Sequence, residues 1–297
     1  MNENPSLNEN HSEEQETTTR SRWVKVLCVV LCLLLLSFCD FTPPKWEYHP
    51  ITDINDLEGR RVGVNLAWES DYYLSNREDM TLYRYDDTAG MILALGYDIV
   101  DALALDEMSW KIMNNLSDGL VIAGPPFGRT GYLLYFASDK PELMEDFNLF
   151  LAEYKKTDEY QDYLEREDAF DGVDYIGPDI PLTGTGDTLR VAFEPEGFPR
   201  TFVRPGEDVP TGYDLEILKH YANANDLQLE FMPSNYNDAI IGLQHGLYDV
   251  FAGYLSDVYR EDVIATGLYT SDPMDNAPMY FIQKTKMDIS MDLDSYE

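Results

Sequence analysis

The chain has 297 residues, enough for one large domain or two modest ones, and its 44% hydrophobic residues can bury a sizeable core. Its 55 acidic and 21 basic residues leave a formal net charge of −34, which repels a phosphate backbone and argues against nucleic acid as a partner. We therefore expect a globular, strongly acidic protein.

The first predicted element is a targeting segment. Residues 1–22 are polar and predict a disordered cytoplasmic tail. Residues 23–39 contain the apolar run VLCVVLCLLLLSFC, which follows basic residues and is short for a bilayer span, so they predict a signal or anchor segment with the rest of the chain outside the cytoplasm. The ending LSFC resembles a bacterial lipoprotein box and makes Cys39 a lipidation candidate. A lipid anchor and an uncleaved signal anchor both remain open.

Residues 51–170 alternate predicted strands with predicted helices. A buried strand is predicted for RRVGVNL, and MILALGYDIVDALALDE predicts a helix that stops at Gly96 and is followed by a strand. Two more strands are LVIAGPPF and GYLLYFAS, the first ended by Pro125 and Pro126, which cannot donate to a strand ladder. Apolar residues at three- and four-residue steps through 141–168 predict one or two amphipathic helices. This alternation is typical of a parallel α/β sheet.

A second unit of the same kind follows a linker. Residues 171–187 are rich in Gly, Pro and Asp and predict that linker. Residues 188–285 contain the strand TLRVAFEP, the helix GYDLEILKHYANAN, the strand LQLEFMP, and then NDAIIGLQHGLYDVFAGY, another helix, glycine and strand. Residues 286–297 contain MDISMDLDSYE, which is similar to ITDINDLEG at Ile51 and predicts a return to the hinge or a tail.

The second unit resembles a known family. RVAFEPEGFPRTF, GYDLEILKHYA and LQHGLYDVFAGYLSDVYRED are similar, in order, to the first lobe of the bacterial extracellular solute-binding proteins of family 3, the periplasmic-type amino-acid receptors. The first unit looks like the second lobe, through DLEGRRVGV, ALGYDIVDALALDE and GYLLYFASDKPELMEDFNLFL. The resemblance implies an α/β, two-lobed periplasmic-binding-protein-like fold of type II with its lobes in permuted order. A circular permutation and a truncated tandem array both explain that order.

The resemblance also implies a function. It predicts a membrane-tethered, monomeric, extracytoplasmic protein that captures a small polar solute, an amino acid, for the permease of an ABC-type transporter, without a cofactor. A sensor or interaction domain on the same fold is the alternative, and a dehydratase or lytic transglycosylase is a further one. The chain has no HExxH, phosphate-loop or G-x-S-x-G motif, and its cysteines lie in or beside the apolar run, so we expect neither an enzyme nor a metal site.

Two residues are the predicted ligands of the amino-acid backbone. Arg260 stands where the family places the arginine that grips the α-carboxylate, and an ion pair with Glu261 or Asp262 is its alternative role. Asp106 ends its strand where the family places the carboxylate that binds the α-ammonium group. Its alternative role is to cap the next helix.

Four further residues complete the predicted first-lobe wall. Glu194 is a ligand-facing acid or an exposed turn acid, and Phe198 is an apolar or cation–π wall. Ser256 and the backbone of Tyr254 are expected to supply the remaining contacts.

On the other lobe, Trp68 and Glu69 stand where the family prefers glycine and small hydroxyl residues at a helix N-terminus, which is an anion site. They predict a different ligand or the loss of α-carboxylate binding on that lobe.

Overall fold

A computed structural model describes residues 48–285 and a short strand at 290–291. The strands are β1 (Arg61–Asn65), β2 (Thr81–Tyr85), β3 (Ala102–Asp106), β4 (Ser117–Asp118), β5 (Leu120–Thr130), β6 (Tyr135–Phe136), β7 (Thr188–Phe193), β8 (Glu196–Gly197), β9 (Thr201–Phe202), β10 (Gln228–Pro233), β11 (Val250–Ala252), β12 (Tyr269–Thr270), β13 (Ala277–Lys284) and β14 (Ser290–Met291). The helices are α1 (Glu69–Leu74), α2 (Thr88–Gly96), α3 (Glu107–Leu116), α4 (Pro141–Tyr154), α5 (Asp158–Ala169), α6 (Tyr213–Ala224), α7 (Tyr236–Gln244) and α8 (Arg260–Ala265).

The predicted tail, the signal or anchor segment and Cys39 lie outside the described residues. Within the part of the chain that is described, no helix combines the length and the apolar character needed to cross a bilayer.

Two five-stranded sheets organise the fold. The first has the order β2-β1-β3-β13-β5 and the second the order β10-β7-β11-β6-β12. In the first sheet β1 is parallel to β2 and β3, while β13 is antiparallel to both of its neighbours. In the second sheet β7 is parallel to β10 and β11, while β6 is antiparallel to both of its neighbours. The two sheets therefore share one plan, and the α/β, two-lobed fold predicted from the sequence is confirmed.

Each sheet contains a strand from the other half of the chain. The fourth strand of the first sheet is β13, although it belongs to the second unit of the sequence. The fourth strand of the second sheet is β6, which comes from the first unit, and α4 and α5 pack against the same sheet through Phe147, Leu151 and Tyr163. The two halves consequently complete each other's hydrophobic cores.

The same ion pair fixes the start of both parallel ladders. The guanidinium of Arg61 donates to Asp101 at 3.1 and 2.7 Å, and the Arg61 backbone N–H donates to the same carboxylate at 2.8 Å. Arg190 and Asp249 repeat all three contacts at the same distances. A bidentate pair with an added backbone bond holds the first strand and the third in register.

The prediction that Pro125 and Pro126 end a strand is wrong. Strand β5 continues to Thr130, pairing with β13 on both sides of the prolines. The pairing passes from Ala123 opposite Phe281 to Gly128 opposite Met279, so the prolines lie in a wide bulge. Their missing N–H groups cost no ladder bond there, because bulged residues are unpaired.

The predicted linker has neither helix nor strand, but it is fastened to the second unit. Tyr175 is buried, and its hydroxyl donates to Glu216 of α6 at 3.0 Å. Glu216 also accepts hydrogen bonds from Arg166 of α5. The segment at 171–187 is thus held by a contact that joins it to both α5 and α6.

Candidate functional site

A cavity of about 440 Å³ lies at the carboxyl ends of strands from both sheets. Residues 66–69, directly after β1, line it from the first sheet. Glu194, after β7, and residues 253–256, after β11, line it from the second sheet. Ligands of open α/β sheets bind at this edge, so the cavity is the candidate site.

An ion pair holds the first-sheet wall in place. Ala67 has a φ of 59°, in the left-handed region that a non-glycine residue rarely adopts. The backbone N–H of Ala67 donates to Asp71 at 3.0 Å, and Arg84 donates to the same carboxylate at 2.9 Å. Asp71 therefore acts as a positioning residue that sets Trp68 and Glu69 at the cavity.

Tyr254 is the matching residue on the second-sheet wall. Its φ is 54°, and its ring lies 6.5 Å from that of Trp68 and 5.5 Å, edge to face, from that of Tyr132. The two other non-glycine residues with positive φ in the described chain, Asp98 and Asp226, follow the C-caps of helices. Strained backbone away from helix ends is therefore confined to the two cavity walls, a pattern common at functional sites.

Glu69 and Asp106 form a buried carboxyl pair. One oxygen of Asp106 accepts the N–H of Ser109 at 3.0 Å, the helix-capping contact, and the other is buried without a hydrogen-bond partner among residues 48–285. Burial, followed by the negative charge of Asp106, raises the pKa of Glu69 to about 8. Burial and the neighbouring charge therefore favour the protonated form of Glu69 near pH ~7.

Glu194 lines both this cavity and a second cavity of about 270 Å³. Trp68, Glu194 and Tyr254 line both cavities, and Phe198 lines the second. Burial, and then the nearby charge of Glu196, raise the pKa of Glu194. Among the ion pairs of residues 48–285, none includes Glu69 or Glu194.

Neither Arg260 nor its hydrogen-bond partner lines this cavity. Arg260 begins α8, and its guanidinium donates to the backbone carbonyl of Ser271 at 2.9 Å. Ser256 does line the cavity, but its hydroxyl lies 2.6 Å from that of Thr130 and accepts the N–H of Val258. The Arg260 side chain is not among the groups that line the cavity, and its predicted carboxylate role remains a prediction.

The structure thus gathers most of the predicted site. Five predicted residues line the main cavity: Trp68, Glu69, Glu194, Tyr254 and Ser256. Phe198 lies at the adjoining cavity, Asp106 is placed behind Glu69, and Arg260 is outside.

The sequence analysis missed Arg200, which is fully buried. Its two terminal nitrogens donate to Asp214 at 2.8 Å, to Asp275 at 2.9 Å and to Glu167 at 2.7 Å. Its guanidinium also lies 3.5 Å from the centroid of the Tyr132 ring. Burial raises the pKa of Asp214 to about 6, against the opposing effect of the Arg200 charge. The signal was a basic residue inside the apolar motif GFPRTF.

Three further cavity residues were also missed. Tyr135, Tyr236 and Tyr259 line it, and each comes from a different segment of the chain. The Tyr259 hydroxyl is buried without a hydrogen-bond partner in the described part of the chain. No group of three or more His, Cys, Asp or Glu side chains able to hold a metal ion occurs among the described residues.

The chain thus combines a two-lobed fold with a cavity at the carboxyl ends of its strands. Residues 189–287 match the model of the bacterial extracellular solute-binding proteins, family 3. The resemblance predicted from RVAFEPEGFPRTF and the motifs after it is therefore confirmed, and a solute-binding role is supported. None of the curated proteins matches the chain.

Solved structures with a related fold include three binding proteins. A probable amino-acid ABC transporter extracellular-binding protein, ytmK from Bacillus subtilis, is 10% identical, with 80% of this chain and 90% of that chain covered and a TM-score of 0.41. The periplasmic aliphatic sulphonate binding protein SsuA from Escherichia coli is 12% identical, with 77% and 62% covered and a TM-score of 0.40. Arginine-bound ArgBP from T. maritima is 14% identical, with 78% and 91% covered and a TM-score of 0.35.

Proposed function

We propose that the protein captures a small polar solute in the cavity between its two sheets and presents it to an ABC-type transporter in the membrane. The observation that carries the proposal is a cavity of about 440 Å³ with walls from both sheets. Small-molecule sites of this kind occupy roughly 300–1,000 Å³ and often lie between lobes.

The geometry suggests how capture works. Trp68 belongs to the first-sheet wall and Tyr254 to the second, so a solute between them contacts both lobes at once. A ligand that contacts both lobes only when they approach shifts the population toward the closed form. Closure then excludes water and displays a changed surface to the transporter.

The exchange of strands supports a circular permutation over a truncated tandem array. A tandem remnant would leave each lobe with an uncovered apolar edge. Here β13 completes the first sheet and β6 completes the second. The same proposal includes three further features. The chain is divided into the halves 51–170 and 188–285, it is a monomer, and residues 23–39 attach it to the membrane.

Calorimetry on the purified full-length chain tests this function. We expect one member of a panel of amino acids and other small polar solutes to bind, and Trp68→Ala to weaken that binding by roughly tenfold because a cavity wall is lost. Tyr97→Ala, at an exposed position in the turn after α2, is the matched control and leaves affinity unchanged. Arg260→Ala tests the carboxylate role. Failure of the whole panel to bind would refute solute capture.

A further inference from the structure

The ionisable side chains on the main cavity wall, apart from tyrosine, are acidic in the described part of the chain. Glu69 and Glu194 line the cavity, and among the described residues no Lys, Arg or His side chain does. A buried carboxylate is tolerated only when a cation or several donors compensate it. The α-carboxylate of an amino acid would face two acids here without a counter-charge.

The nearest buried cation is already committed. Both terminal nitrogens of Arg200 are held by Asp214, Asp275 and Glu167, and its side chain is not among those lining the cavity. Arg260 is engaged with the Ser271 carbonyl. Among the described residues, neither arginine side chain lines the main cavity, so a ligand carboxylate there would lack an arginine on the wall.

Aromatic rings form about half of the remaining wall. Its five rings are Trp68, Tyr135, Tyr236, Tyr254 and Tyr259. Aromatic faces attract a positively charged nitrogen, most strongly where water is excluded. The Tyr259 hydroxyl, which is buried and has no hydrogen-bond partner in the described part of the chain, offers an acceptor to an N–H donor.

We propose that the solute is an organic cation without a carboxylate, an aliphatic amine or guanidinium compound. The inference rests on the proposed function and names its ligand class. The charged nitrogen lies among the rings, with Glu69 and Glu194 as counter-charges, and the rest of the solute extends into the adjoining cavity past Phe198, where Glu196 adds a third acid.

Protonation of Glu69 couples to this binding. The groups that face Glu69 are Asp106, Arg200 and the phenols of Tyr132, Tyr254 and Tyr259. Burial raises the pKa of these phenols, which keeps them neutral near pH ~7. A cation beside Glu69 favours its ionised form, so binding releases a proton and affinity rises with pH until it approaches about 8.

Matched pairs of solutes that differ by a single carboxylate provide the test. Agmatine is compared with arginine, and cadaverine with lysine, by calorimetry on the full-length chain in buffers of different ionisation enthalpy. We expect the member without the carboxylate to bind more tightly by at least roughly tenfold, because its partner buries an unpaired anion. Proton release accompanies binding in the wild type.

Two isosteric variants locate the counter-charges. Glu69→Gln and Glu194→Gln each weaken agmatine or cadaverine binding by roughly tenfold, and Glu69→Gln also removes the proton release. Glu142→Gln, an exposed acid at the start of α4, changes net charge equally and leaves affinity unaltered.

Four outcomes separate the possibilities. Preference for the decarboxylated solutes, lost in both variants, supports the proposal. Equal or tighter binding of arginine and lysine overturns it while solute capture stands. Binding that survives both variants places the cation elsewhere and also overturns it. If the chain binds a neutral or acidic solute but not agmatine, arginine, cadaverine or lysine, the assignment of a cationic ligand is wrong and solute capture stands.

Discussion

The two sheets share a strand order and a register-fixing ion pair, but they differ in the connection after their first strand. In the first sheet only residues 66–68 separate β1 from α1, so Trp68 and Glu69 lie directly at the cavity. In the second sheet residues 194–212 separate β7 from α6 and form a small hairpin. The long connection delivers Arg200 to acids of three other segments. The connection after β1 thus contributes to the cavity wall, whereas the connection after β7 contributes Glu194 to that wall and also buries Arg200.

Removing Arg200 is the most severe test of that division. Arg200→Met would leave three acids without their common partner, and we expect the free energy of unfolding to fall by about 3–5 kcal/mol. Denaturant titration measures the loss. The control Arg204→Met removes a part-exposed arginine and costs less than about 0.5 kcal/mol. A loss below about 1 kcal/mol for Arg200→Met would contradict the central role of this residue.

The repeated ion pair permits a matched comparison between the sheets. Asp249 is fully buried and binds Lys140 as well as Arg190, whereas the Asp101 side chain is about a third exposed. We expect Asp249→Asn to cost about 2–3 kcal/mol and Asp101→Asn about 1 kcal/mol in the same denaturant titration. Equal costs would show that burial does not distinguish the two pairs.

The carboxyl pair on the first-sheet wall should make stability depend on pH. Because the pKa of Glu69 is raised from 4.5 to about 8 in the folded chain, the folded state binds more protons than the unfolded state between those values. Stability therefore falls as pH rises through this window, by about 2–3 kcal/mol between about pH 5 and pH 7. Thermal unfolding of wild type and Glu69→Gln measures it, and the variant should lack this component. If the stability of wild type and of Glu69→Gln depends on pH in the same way, the pKa of Glu69 is not raised in the folded chain.

The smallest expected effect concerns the strained turn before α1. Ala67→Gly relieves a left-handed conformation worth roughly 1–2 kcal/mol but adds a similar entropy to the unfolded chain. We expect the free energy of unfolding to change by less than about 0.5 kcal/mol, with solute affinity unchanged. A large loss of stability would mean that the methyl group of Ala67 packs in a way its conformation does not reveal.

Much of the fold was predictable because its signals are local. Helices that stop at Gly96 and Gly246, each followed by Tyr-Asp and a strand, marked the repeated unit from the sequence alone. The path of β5 past Pro125 was not predictable, because the bulge depends on its partner β13, roughly 150 residues away.

The residues of the site likewise fall into those that the sequence predicts and those that it does not. Trp68, Glu69 and Glu194 were found because they occupy positions marked by the family resemblance, close to the ends of β1 and β7. Arg200 and Tyr259 were missed because their roles depend on contacts between distant segments. The direction of Arg260 was set by a carbonyl at Ser271, which no residue pattern reveals.

The exchanged strand β13 also sets the order in which the chain can fold during synthesis. It fills the gap between β3 and β5, yet it is made more than 140 residues after them. Until it emerges from the ribosome, both of these strands have an open edge that can pair with another nascent chain. Release of this protein in a folded form therefore awaits nearly the last residues described.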